Sequence, residues 1–199
     1  RILTRPGNRV GGLLYGDRVE RVIPAGGGRR HVLRLLNRML SRPAPAGPVV
    51  TKLGDLLQTA LRVVRRRSLV FVVSDFISAP GWEAPLALLA QRHEVLAVRL
   101  FDPLELEWPD LGLLLVQDAE TGEQAWVDTH DGGFRQRFAA AAERREAELR
   151  SAFQKAGVDA LELSTLDDVV DAIRRFADLR RQRLRGSAAD NLPKHLGGR

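Results

Sequence analysis

The sequence contains no cysteine. That excludes a disulfide framework, a thiolate zinc site and a cysteine nucleophile, and it fits a reducing cytoplasm. No apolar run approaches the roughly 18 to 20 residues that span a bilayer, and the first residues lack the order of a signal peptide. Lysine is scarce beside arginine, and aromatic residues make up only 6% of the chain. Methionine occurs once, at Met39 inside a helical pattern, so we expect a piece of a longer chain. There is no Gly-x-Ser-x-Gly elbow, and His31, His93, His130 and His195 share no triad or metal-ligand spacing. No enzyme is expected from these residues.

What is present suits a soluble globular domain: 199 residues, 44% hydrophobic and 28% charged. The formal charge is +6, with much of the excess at Arg65 to Arg67 and from Arg174 to Arg185. Such clusters read first as solvated faces, and nucleic acid is not the expected partner. A run of glycines, Gly26 to Gly28, stands before Arg29 and a helical pattern, and helix N-termini attract anions. It lacks the Gly-Lys-Ser/Thr ending of a P-loop. A basic nucleic-acid- or phosphate-binding protein is therefore the alternative reading.

Along the chain, Val10 to Tyr15 and Val19 to Ile23 read as a β-hairpin, and His31, Leu35 and Met39 open a helical stripe that ends near Ser41. The three prolines of Arg42 to Pro48 mark a loop. Leu53, Leu56, Leu57, Ala60, Leu61 and Val64 lie on one helical face. Leu69 to Val73 is five apolar residues in a row, as expected of a parallel strand buried on both faces. Trp82 to Gln91 follows as a helix and Val95 to Phe101 as a second strand, stopped by Asp102-Pro103. Leu111 to Gln117 and Gln124 to Val127 suggest a second hairpin across the Thr121-Gly122 turn. Phe134 to Lys155 is helical and closes at Gly157, Val158 to Leu163 is a strand, and Ser164 or Thr165 can cap a helix from Leu166 to about Leu184. The spacing implies an α/β fold, a mostly parallel, Rossmann-like sheet with helices on both faces and an added β-hairpin. One domain is expected over residues 1–185, with a disordered tail over 186–199.

In open α/β sheets ligands sit beyond the carboxyl ends of the strands. Asp75 follows the first apolar strand, Asp102 follows the second, and Thr51 precedes the helix leading into the first. All three are oxygen ligands, the donor type that suits Mg²⁺. Each also has a structural reading: a turn cap for Asp75, an Asx-turn for Asp102, a helix N-cap for Thr51.

The ordered segments Asn8 to Leu36, SLVFVVSDF (Ser68 to Phe76), HEVLAVRLFDP (His93 to Pro103), DAETGEQAWVDT (Asp118 to Thr129) and GVDALELST (Gly157 to Thr165) together resemble the bacterial family called domain of unknown function 58. Members of that family are similar to von Willebrand factor A (vWA-type) domains, whose adhesion site gathers an Asp-x-Ser-x-Ser motif, a threonine and a later aspartate around Mg²⁺. The resemblance implies that Thr51 is that threonine and Asp75 that aspartate, and that the ion is Mg²⁺ or Mn²⁺. Asp-x-Ser-x-Ser is not in this sequence; the resemblance places it after a first, central strand upstream of Arg1, leaving the metal site incomplete here. Val49-Val50 and Lys52 flank Thr51 where the family carries glycines and an acidic or small residue. The function implied is a metal-assisted protein-binding scaffold, an adaptor for a MoxR-type AAA ATPase in protein assembly or maturation.

Overall fold

The structure is a computed structural model that describes residues 8–16, 18–41, 51–118 and 122–186, with the side chains of residues 179–186 excepted. The expected Arg42 to Pro48 loop and, apart from Gly186, the expected tail lie outside these residues.

The described residues form three sheets. Val10–Tyr15 (β1) and Val19–Gly26 (β2) form an antiparallel hairpin, against which helix α1 (Arg29–Leu40) packs. After α2 (Leu53–Val63) comes the parallel sheet, in the order β3 (Leu69–Ser74), β4 (Glu94–Phe101), β7 (Asp159–Ser164). Helix α3 (Glu83–Arg92) links β3 to β4. A 3₁₀ turn (Pro103–Glu105), the hairpin β5 (Leu113–Gln117) and β6 (Gln124–Asp128), and the long helix α4 (Gly132–Ala156) lie between β4 and β7. Helix α5 (Val169–Gly186) follows. The fold is α/β, a parallel sheet with helices on both faces and antiparallel hairpins added.

Strand alternation decides which side chains meet which helix. Val72 and Ala97 are opposite one another in register, and with Val95 they face Leu53, Leu57, Leu86, Leu89, Leu149 and Phe153 of α2, α3 and α4. The other face sends Leu96, Val98, Leu161 and Leu163 against Ala172 and Phe176 of α5. Two expectations change here. The strand Leu69 to Val73 is not buried on both faces: Val72 is buried, but Leu69, Phe71 and Val73 are 47%, 51% and 57% exposed. Among the described residues its only neighbour in the sheet is β4, and α5 packs on β4 and β7. Likewise α5 begins at Val169 rather than Leu166, because Asp168 accepts from the amides of Val170 (2.8 Å) and Asp171 (3.0 Å) and so caps it.

Local rules hold at α4. Asp131 accepts from the amide of Gly133 at 2.8 Å at its start, and Gly157 ends it at φ 66°, the left-handed conformation that favours glycine.

Candidate functional site

Asp75, Thr51 and Asp102 all lie at the carboxyl end of the parallel sheet, and the structure differs in how it holds each. After Ser74 the chain turns through Phe76, the one described non-glycine residue with positive φ (60°). That conformation costs roughly 1–3 kcal/mol for a side chain with a Cβ and persists only where packing enforces it. The packing is an aromatic trio: the Phe76 ring lies 4.9 Å from Phe153, edge to face, and 5.5 Å from Trp82. Anchoring Phe76 inward leaves Asp75 exposed at the strand tip. Its Oδ1 accepts from the amide of Ile77 (3.0 Å) and the hydroxyl of Ser74 (3.2 Å), while Oδ2 has no hydrogen-bond partner among the described residues.

Thr51 reaches the same place through a residue that the sequence reading passed over. The Ser78 hydroxyl donates to the carbonyl of Thr51 (2.9 Å) and accepts from the amide of Leu53 (2.9 Å). Ser78 therefore satisfies the first amide of α2 from across the site, and the N-cap position itself is Lys52, which makes no side-chain cap. Three residues past Asp75, Ser78 ties the Thr51 loop to the Asp75 loop. Lys52 is exposed.

Asp102 is held on both oxygens. Oδ1 accepts from the amide of Leu104 (2.9 Å) and Oδ2 from the hydroxyl of Thr165 (2.8 Å), while Glu105 returns a bond to the Asp102 amide (3.2 Å), completing a capping box. The Leu104 amide, and after it the Thr165 hydroxyl, hold the Asp102 carboxyl below its ordinary range. A cation reaching Asp102 would share each oxygen with a hydrogen bond already in place. The strand register pairs Ser74 with Arg99, so Asp102 stands two residues further along its strand than the level of Asp75.

Beneath this end of the sheet lies a charge the sequence reading also missed. Arg99, 2% exposed on β4, forms a two-pronged ion pair with Glu146 of α4 (2.6 and 2.5 Å), with Glu162 at 3.7 Å and its guanidinium over the Phe101 ring. The signal was an arginine inside the apolar run VLAVRLF, which demands a buried partner.

The histidines do not join this end. His31 Nε2 lies 2.8 Å from the carbonyl of Val10, His130 pairs with Asp110, and His93 is buried at the start of β4; His195 is outside the described residues. Near Gly26, a cavity of about 290 Å³ is lined by His31, Arg34 and Arg38 together with apolar residues of β2 and α1. Among the described residues no three His, Cys, Asp or Glu side chains cluster as metal ligands would. The donor set at the sheet end is thus one outward carboxylate and a neighbouring threonine, hard oxygen atoms of the kind Mg²⁺ accepts when water fills most of its shell. It fits Mg²⁺ only as part of a shared shell.

Comparison with known proteins adds family and fold. The family described as "Protein of unknown function DUF58" matches residues 2–148. Uncharacterized proteins of Mycobacterium bovis and Mycobacterium tuberculosis are 36% identical over 182 residues, which is 90% of this chain and 57% of theirs. An uncharacterized protein of Mycobacterium avium is 37% identical over 161 residues, 80% of this chain and 94% of that protein. The chain thus spans 57% of the length of the first of these relatives. The crystal structure of an aerotolerance-related membrane protein from Bacteroides fragilis superposes with a TM-score of 0.52 at 11% identity, covering 88% of this chain and 80% of that one. At that identity the likeness is one of fold.

Proposed function

The chain belongs to the DUF58 family of proteins of unknown function, and from that premise we propose that it is a protein-binding module whose docking is assisted by Mg²⁺ or Mn²⁺. The observation that carries this reading is the strand tip at Asp75: a strained, aromatically anchored turn presents an exposed carboxylate with one oxygen unengaged among the described residues, and Ser78 draws the Thr51 loop beside it. Asp75 and Thr51 would hold the ion. Asp102, already bonded to Thr165 and Leu104, braces the neighbouring strand end and would serve as an outer ligand. When bound, the ion supplies a positive charge that an acidic side chain of a partner can complete by coordination. No bond need be broken in this reading, which is one of binding rather than catalysis.

The partner we propose is a MoxR-type AAA ATPase, with this chain as an adaptor in the assembly or maturation of other proteins, in the cytoplasm. No helix among the described residues is long and apolar enough to cross a membrane. Binding of the intact gene product to the MoxR-type ATPase of its own organism tests this, measured with Mg²⁺ and with a chelator. Binding that needs the metal and is lost in Asp75→Ala supports the proposal. Binding indifferent to both contradicts it.

A further inference from the structure

The β1–β2 hairpin is irregular where it meets α1. Val10 pairs with Gly26 but Gly12 with Ile23, so over this stretch β2 carries one residue more than β1, a bulge that sets Pro24 and Ala25 opposite Gly11. Pro24 has no N–H to offer the ladder, which suits it to such a place. Between this bulge and α1 lies the cavity of about 290 Å³. Its apolar walls are Ile23, Pro24 and Ala25 from β2 and Leu35 from α1, and Ile23 is buried. At about 30 Å³ for each water-sized group, the space takes on the order of ten heavy atoms.

Cationic side chains edge this apolar space, and no acid lines it. Arg34 and Arg38 stand one helical turn apart on α1 and both line the cavity. Both are exposed, and neither has a hydrogen-bond or ion-pair partner among the described residues. Arg9, just ahead of β1, sets a third guanidinium against the same wall by donating to the Ala25 carbonyl at 2.8 Å. Asp and Glu are absent from Arg21 through Gly54, so neither α1 nor the lining part of β2 supplies a counter-charge. His31 completes the lining as a fixed group. Its Nε2 donates to the Val10 carbonyl, and its ring occupies the place a side chain at Gly26 would take, where a Cβ would come 2.5 Å from Nδ1.

We propose that this cavity binds a small phosphate monoester that carries an apolar group, with the phosphate on Arg34 and Arg38 and the apolar group against Ile23, Pro24 and Leu35. Each guanidinium fork can take two phosphate oxygens, and two forks match the charge of a dianion, where a carboxylate would engage only one. The apolar walls add contacts that inorganic phosphate cannot use, the usual division of labour in a ligand pocket. A nucleotide is too large for the space. Because both arginines are open to solvent, binding is weak and sensitive to salt. The same chemistry is offered by a soluble ester and by the headgroup of phosphatidic acid. The site shares no residue with the strand tip at Asp75, and it needs no metal.

The test is calorimetric titration of the intact gene product with phenyl phosphate, in the presence of a chelator so that the strand tip plays no part. The expected result is saturable binding with a Kd below about 1 mM, weakened by salt and roughly tenfold tighter than that of inorganic phosphate or of phenol. Arg34→Gln/Arg38→Gln should weaken it about tenfold or more. Arg29→Gln/Arg30→Gln removes the same charge from α1 at positions that do not line the cavity, and it should leave binding unchanged, as should Asp75→Ala. Circular dichroism checks that each variant is folded. Flotation with phosphatidylcholine vesicles, with and without phosphatidic acid, identifies the source of the ester. Capture that needs phosphatidic acid, Arg34 and Arg38 and that phenyl phosphate competes away assigns the lipid headgroup; phenyl phosphate binding without capture assigns a soluble ester, and either result upholds the site. No binding of phenyl phosphate by the wild type, binding no tighter than that of inorganic phosphate, binding retained in Arg34→Gln/Arg38→Gln, or an equal loss in both arginine pairs would overturn it.

Discussion

Replacing Glu146 with alanine should destabilise the chain more than any single change at its surface. The variant strands the Arg99 guanidinium, 2% exposed, beneath the sheet without its two-pronged partner. Leaving such a charge unpaired typically costs about 3–5 kcal/mol. Two features pull the cost toward the lower end: Glu162 stands 3.7 Å away, and the Phe101 ring lies 4.9 Å under the guanidinium. Glu162 is 41% exposed, so its attraction is screened and replaces only part of what Glu146 supplies. The expected loss is therefore about 3 kcal/mol, which for a domain of this size lowers Tm by roughly 6–12 °C. Urea unfolding followed by far-ultraviolet circular dichroism measures it, with an unchanged m-value as the sign that only stability moved. The double variant Arg99→Met/Glu146→Leu removes both charges and keeps the volume, and should return to within about 1 kcal/mol of wild type. A Glu146→Ala loss under 1 kcal/mol, or a double variant no better than the single one, would refute the claim that a desolvated ion pair holds α4 to the sheet.

Other consequences are smaller. Thr165→Val removes the second of the two bonds that depress the Asp102 carboxyl, so a carboxyl titration by NMR should find it moved up toward 3.8. Because the folded value lies below the unfolded one, the Asp102 contribution is present at neutral pH and lost as pH falls through the depressed value; in Thr165→Val the contribution is smaller and its loss is complete at a higher pH. Gly157→Ala meets no neighbour within 4 Å but must hold φ 66°, so it should cost about 1 kcal/mol from backbone strain alone. Ser78→Ala deletes two bonds that join the α2 entry to the Asp75 loop; a loss of about 1–2 kcal/mol is expected, together with weaker metal binding measured by calorimetry.

How much of this was legible in the sequence depended on whether the cause was local. The α4 ending at Gly157 and the stop of β4 at Asp102-Pro103 follow from one or two residues, and the structure agrees. The start of α5 was misplaced because Thr165, a good cap by type, is spent on Asp102 from β4, leaving Asp168 to do the capping. An unbroken apolar run says that a strand resists water but not how many neighbours it has, so the uncovered side of Leu69, Phe71 and Val73 could not be read from composition. At the site, Asp75 was legible as a strand-end carboxylate. Ser78 was not, since its importance comes from Thr51, 27 residues away, and neither was the turn at Phe76, whose positive φ shows only in the backbone.

The central claim, a metal held at the strand tip, is met most directly by calorimetric titration of the intact gene product with Mg²⁺ and Mn²⁺, beside Asp75→Ala and Thr165→Val. Saturable binding is expected, abolished in Asp75→Ala and preserved in Thr165→Val, which leaves the strand tip intact. Absence of binding in the wild type, or binding that persists in Asp75→Ala, would contradict it.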